Sequence, residues 1–248
     1  PPRGVWLLCA PSADDLLPTI RSRCRVVPLR VPPYDAVAAY LTGEGIDAEA
    51  AGFAARAAQG HIGRARRLAT DPEAAKRRRD VLTVPTQVAS VGGSFAAAAA
   101  LVDAAKAEAV AVSETLDSDE KAALRESYGD TGEKGMAKPR GVAGAISELE
   151  KRQRSRATRT QRDVLDRALV DLAAFYRDVL VVQIGADVEL INADLEPTVR
   201  DLAAADEPEA TLRRIQAVLD AREAIEANVA PLLAVEAMAV TLRAPIRS

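Results

Sequence analysis

Apolar residues fall along this chain in two regimes. Residues 5–10, VWLLCA, are apolar at every position, the pattern of a central strand in a parallel sheet covered on both faces. Beyond Pro33 the apolar positions recur at helical spacing, which predicts helices almost throughout. Between the two regimes, Ser12 followed by Asp15 resembles a capping box opening a brief helix over 13–21, and 25–31 reads as a short extended piece stopped by Pro32 and Pro33. A central strand without neighbours exposes its backbone groups and both faces. The economical reading therefore takes residues 1–30 as the tail of a larger α/β domain, with residues 1–11 the least secure part of the chain.

Three short helical patterns follow: 34–41 with Val37, Tyr40 and Leu41 on one side, 48–58 around Phe53, and 62–69. TGEG and Gly60 separate them, the spacing of a small three-helix domain. A basic helix at 73–81 leads to the pair Gly92 and Gly93, read as loop; Ser94 then caps an alanine-rich helix running to about residue 112, and 117–126 forms another. Residues 128–141, YGDTGEKGMAKPRG, predict an exposed loop. The stretch 142–184 reads as one long helix, polar all round over 150–162 and broadly apolar on one face over 164–184. Residues 207–228, with Leu212, Ile215, Leu219 and Ile225 at helical spacing, and 231–243 complete a bundle of about five helices.

Composition narrows the function classes. With 248 residues, 48% of them hydrophobic, the chain buries a sizeable core and has room for two or three small domains. A net charge of -3 supplies no global basic field for nucleic acid, and 3% aromatic content leaves few stacking platforms for single-stranded bases. Cys9 and Cys24, with the lone His61 far away, form neither a disulfide framework nor a metal-ligand set, which fits a reducing cytoplasm. No secretory leader pattern is indicated. The uncharged run 81–102 contains Pro85, Gln87, Gly92 and Gly93 and ends in alanines, a loop entering a soluble helix and not a membrane span.

GDTGEKG within the loop lacks the spacing and the preceding strand of a phosphate-binding P-loop, and no acidic pair ends an apolar strand, so neither a nucleotide-metal site nor a bound cofactor is expected. His61 reads as a helix-start or packing residue. The tract 151–167 holds seven basic residues with Asp163 and Asp166; a solvated helix face is the plainer reading, phosphate contact the other. Arg64, Arg66, Arg67 and residues 76–79 form a second basic group with the same two readings.

Four arginines gather directly after the apolar run, in PTIRSRCRVVPLR. The longer stretch WLLCAPSADDLLPTIRSRCRVVPLRVPP, residues 6–33, resembles the sensor-1 strand and SRC segment of the clamp-loader AAA+ proteins, and matches best the delta-prime branch of that family in bacterial DNA polymerase III. GHIGRARRLA, residues 60–69, stands where this family opens the third helix of its lid with a Gly-Ser-Leu-Arg-like motif; residues 81–248 match the family's collar in length and helical character only.

The resemblance implies a mainly α chain, with a terminal strand-helix piece of an AAA+ core in 1–32, a three-helix lid in 33–80 and a helical-bundle collar for oligomerisation in 81–248. It implies that Arg23 acts in trans as an arginine finger on a neighbouring subunit's ATP, with Ser22 shaping the turn and Cys24 a small packing residue. Arginine suits that role because it stays charged and offers a planar fork to phosphate oxygens. Flanking Arg21 and Arg25 bond either a partner's acids or acids of their own domain. Members of the family that hydrolyse ATP carry a polar sensor residue where Ala10 stands and an arginine where Gly63 stands. Both positions are blank, although Arg64, one position on, leaves the second role open to it. The implied protein has no activity of its own. It is a cytoplasmic subunit partnered by the loader's ATPase and delta subunits, and through the assembly by the sliding clamp and primed DNA, with no membrane. Two other readings stand beside this one: a helical nucleic-acid-binding module using 151–167, and an ATP-hydrolysing clamp-loader subunit.

Overall fold

The computed structural model describes residues 4–10, 12–129 and 141–243; most of the expected loop, 130–140, lies outside the described residues. Among the described residues all regular structure is helical. The capping box at Ser12 is present, its hydroxyl accepting from Asp14 N–H and its own N–H donating to Asp15, but it opens only a 3-10 turn, Ala13–Asp15. Leu16 ends that turn in an extended conformation, so the helix expected over 13–21 is split, with α1 confined to Pro18–Arg21.

The strand expected at 5–10 is not formed. Val5, Trp6 and Leu7 are each at least 85% exposed, because among the described residues no other strand pairs with them. Residues 25–33 likewise pair with no strand among the described residues, and no described residue from 4 to 31 is buried.

The next three helices follow the expected spacing: α2 is Tyr34–Gly43, α3 Ala48–Ala57 and α4 Ile62–Thr70. Asp47 caps α3 by accepting from Glu49 and Ala50 N–H, and His61 caps α4 through Nδ1, which accepts from Arg64 N–H at 3.1 Å. Their core is Val37, Leu41, Ala51, Ala54, Ala55, Ala57, Ala58, Ala65 and Leu68, closed by Ala74 from the helix that follows, so the helices approach closely on methyl groups. The turn into α4 depends on Gly60. It is buried at φ +86°, and a Cβ there would meet Val31 Cγ1 and, at 2.9 Å, the Pro32 carbonyl. Gly60→Ala is expected to cost about 2 kcal/mol or more, from the left-handed backbone and the displaced 31–32 segment, lowering Tm by about 4–8 °C. A thermal melt checks it, and an unchanged Tm would show that 31–32 moves aside freely.

The second body contains α5 (Pro72–Val81), α6 (Val84–Gln87), α7 (Val91–Ser127), α8 (Val142–Gln183), α9 (Glu196–Ala205), α10 (Pro208–Glu226) and α11 (Pro231–Leu242). α7 starts earlier than expected and does not break. Ser90, not Ser94, is its cap, accepting from Gly93 N–H at 3.0 Å, while Ser94 is buried and its hydroxyl donates back to the Ser90 carbonyl. Gly93 allows the close approach of α6: a Cβ there would strike the Gln87 carbonyl. The main core joins Leu101, Leu165, Leu169, Leu172, Phe175, Tyr176, Val179, Val199, Val218, Val235 and Met238.

That core ends near Ala105 on α7 and Leu165 on α8. Beyond it the two helices continue as an antiparallel arm, residues 109–127 against 142–161, where among the described side chains Ala109, Ser113, Val142, Leu149 and Gln153 are buried. Polar contacts replace apolar ones as the fastening. Gln153 donates to the Asp117 carbonyl at 3.0 Å and to Glu120 at 3.1 Å, Arg156 holds both Asp117 and Glu120, and Lys121 pairs with Glu150 at 3.1 Å. This explains how a stretch that is polar all round holds a helix.

Arg156 foremost, then Gln153, holds the Glu120 carboxyl down at about 2. A carboxyl depressed on folding stabilises the folded arm above its unfolded value of about 4.3 and loses that contribution as pH falls through the folded value. The outer arm is therefore expected to hold at pH 5 and loosen between about pH 4 and 2. Amide exchange on residues 110–127 across that range checks it, and Arg156→Ala should return the Glu120 midpoint to about 4.

Candidate functional site

The arginine-rich turn is built by the end of α1. Pro18 sits at the first helical position, where its missing N–H costs nothing, and the helix closes at Ser22, whose N–H donates to the Pro18 carbonyl at 3.0 Å. Arg23 N–H then donates to the Ile20 carbonyl at 3.0 Å and Cys24 N–H to the Arg21 carbonyl at 3.3 Å. The Arg23 side chain is exposed and has no ion-pair partner among the described residues. Arg21 pairs with Asp14 of its own segment. Cys24 is exposed, so the packing role expected for it is not realised among the described residues.

Ala10 is exposed in the extended segment, and Gly63 lies in the first turn of α4. A Cβ at Gly63 would stand 3.5 Å from His61 Cε1, an ordinary contact, so packing does not dictate the glycine. Gly63 lines a cleft of about 700 Å³ between α4, α5 and α8 that neither Ala10 nor Arg23 reaches.

At the bottom of that cleft lies a polar network joining the two helical bodies. Asp171 on α8, with its side chain 5% exposed, accepts from Arg78 Nε at 3.1 Å and from Arg64 Nη2 at 2.5 Å. Arg78 is itself buried, donates through Nη2 to Asn192 Oδ1 at 2.6 Å, and lies over the Phe53 ring at 5.5 Å. One turn-pair further along α8, fully buried Asp178 accepts from Ile191 N–H at 3.1 Å, Asn192 N–H at 2.7 Å and Asn192 Nδ2 at 2.8 Å. Asp178 thus shapes the 191–192 turn, which presents Asn192 to Arg78. At the rim, Glu108 on α7 takes Arg67 at 2.7 Å and Arg77 at 3.2 Å. The Glu189 carboxylate beside Tyr34 raises its phenol pKa.

The network answers two readings of the sequence. The second basic group is largely committed to ion pairs: Arg64, Arg67, Arg77 and Arg78 as above, Arg66 with Glu44 and Lys76 with Asp80. Arg64, open to a nucleotide-sensing role on sequence, spends its guanidinium on Asp171 across the joint. Its side chain is only 14% exposed. The sequence does carry a signal for the joint. Asp171 and Asp178 stand seven residues apart, on one side of a helix half otherwise broadly apolar, and a charge in such a place demands a partner.

Among the described residues no group of His, Cys, Asp or Glu is placed to hold a metal, and no helix is long and apolar enough to cross a membrane. Comparison of the chain with protein-family models, with curated proteins and with solved structures gives no match. What the fold itself defines is a mainly helical protein of two packed helical bodies, with an exposed arginine turn at one side and a long two-helix arm.

Proposed function

We propose that this chain is a delta-prime-like clamp-loader subunit: the end of an AAA+ core, a lid and a collar, which completes a neighbour's ATP site with Arg23 and assembles the ring through its C-terminal bundle. The observation that carries this reading is Arg23 itself, exposed on a helix-closing turn with no ion pair to any described residue, while its neighbour Arg21 is paired within the segment. An arginine that serves another subunit's phosphates has to be held open in this way. Three further features support it. Residues 5–8, and Val26, Val27, Leu29 and Val31 further on, are large, apolar and exposed, as strand residues are when their sheet is not around them. The α2–α4 unit has the size of a lid. Finally, α11 turns Leu233, Ala237 and Val240 outward at helical spacing, an apolar stripe suited to a neighbouring collar.

Assembly tests the reading. Mixed with the ATPase and delta subunits of a clamp loader, the complete subunit is expected to enter one hetero-oligomer. Leu233→Asp with Val240→Asp should weaken that entry at least tenfold, about 1.4 kcal/mol, while leaving the melt nearly unchanged because both side chains already face solvent. Failure of the wild-type subunit to associate would overturn the proposal. Unweakened entry of the double variant would move the interface off α11.

A further inference from the structure

The basic tract on α8 is divided by the fold into residues with work to do and residues without. Of its seven basic side chains, Arg156 is bonded to Asp117 and Glu120, Arg162 donates to Asn228 Oδ1 at 2.8 Å, and Arg167 is half-buried in the cleft between the two bodies. Lys151, Arg152, Arg154 and Arg159 remain, all exposed and none ion-paired to a described residue. Leu149 and Gln153, which are buried, and Arg156 define the side of α8 that meets α7. At about 100° per residue Lys151, Arg154 and Arg159 point away from that side, with exposed Ser147, Ser155 and Thr158 among them and Glu148 the one exposed acid, while Arg152, one turn before Arg156, stands at the edge of the face nearest Glu120.

We infer that this outer face of the arm binds the sugar–phosphate backbone of a nucleic-acid duplex. Three properties select that partner. First, the face has no apolar side chain for the dry centre that a protein interface needs, but supplies arginine forks and small hydroxyl groups suited to phosphate oxygens. Second, it carries no aromatic residue, so it has nothing on which unpaired bases would stack. Third, residues 151–159 span about 12 Å of helix axis, which matches three to four phosphates at about 3.4 Å per step along one strand. The opposite helix sets the orientation. Exposed Glu114, Asp119 and Glu126 outnumber exposed Arg125 and leave the α7 side of the arm net acidic, so phosphate is disfavoured there and the arm engages through α8. The chain's net charge of -3 makes the attraction local to this face.

The test is fluorescence anisotropy of the full chain with a labelled DNA duplex and an RNA duplex of the same sequence, each about 20 base pairs, over about 20–200 mM salt. Both duplexes are expected to bind without sequence preference, with log K against log salt falling at a slope of about -3 to -4 for four phosphate contacts. Changing Lys151, Arg152, Arg154 and Arg159 together to Gln should lower affinity by about a hundredfold at low salt, and the pair Arg152→Gln, Arg159→Gln should reduce the slope by about 2. Arg213→Gln, exposed on α10, should change neither. Circular dichroism should find both arm variants as helical as the parent. Wild-type binding by the fourfold variant, a slope shallower than about -1, or tighter binding of the single strand or of a polyglutamate peptide through these same residues would overturn the inference. It does not rest on the clamp-loader reading, since a chain that joins no loader subunit but binds duplexes with this slope retains it.

Discussion

Asp171→Ala is expected to lower the unfolding free energy by about 3–5 kcal/mol, the range for removing one partner from a buried ion pair. Arg78 explains the size. Its side chain is 2% exposed, so without Asp171 its charge has neither a counter-ion nor enough water, and Arg64 is left pointing at it. Arg78 Nη1 already lacks a hydrogen-bond partner among the described residues, so the site has no spare acceptor to reassign. Arg64→Met should cost less, because Asp171 keeps Arg78 as its counter-ion and the inner pair stays intact. Chemical denaturation measures both. Amide exchange should further show α2–α4 opening ahead of the main bundle in Asp171→Ala, because their attachment to α8 runs through this network. A loss below about 1 kcal/mol would mean that the network behaves like a surface pair, and that the two bodies are held by something else.

Within the proposed loader, Arg23→Ala in the complete subunit is expected to cut ATP turnover at the adjoining site by roughly a thousandfold or more, as removal of other fingers acting in trans does. The melt and the assembly should hardly change, since an exposed arginine contributes little to stability. Arg23→Lys should not rescue turnover, because an ammonium keeps the charge and loses the two-pronged fork. Other sites in the ring keep their own fingers, so turnover has to be resolved at the one site beside this subunit. Unaltered turnover there would leave the turn as scaffold.

Helices whose apolar faces meet the nearest neighbour in sequence are legible in the sequence. α2, α3 and α4 lie within two residues of their expected ends, and the run from Val142 to Gln183 is one helix, as its pattern predicts. Elements decided by distant contacts were not legible. The start of α7 depends on Gly93 passing the Gln87 carbonyl, which no local propensity encodes, and two glycines in a row read as loop. The same helix was expected to stop near residue 112. It continues because Ser113 is buried with its hydroxyl turned back onto the Ala109 carbonyl, and because Asp117 and Glu120 are held from across the arm. α9 escaped notice because its burial centres on Val199 alone. The arginine turn was legible as a motif; at the joint Asp171 carries a sequence signal, but the joint's partners were not legible. Its partners Arg64, Arg78 and Asn192 come from three separate elements and meet only after the two bodies have docked.

The methyl-lined core of α2–α4 sets how that unit will drift under mutation. Seven of its ten buried residues are alanine, leaving Val37, Leu41 and Leu68 as the bulky members. At the alanine positions there is almost no volume to delete, so cavities are not the common injury. Ala→Gly there costs about 1 kcal/mol of helix propensity, whereas Ala→Val or Ala→Leu forces the helices apart at about 1–3 kcal/mol. The tolerated substitutions at Ala51, Ala54, Ala55 and Ala58 are therefore expected to be glycine and serine. In a library selected for folding, these sites would appear as a small-residue signature more constant than any charged position on the same helices.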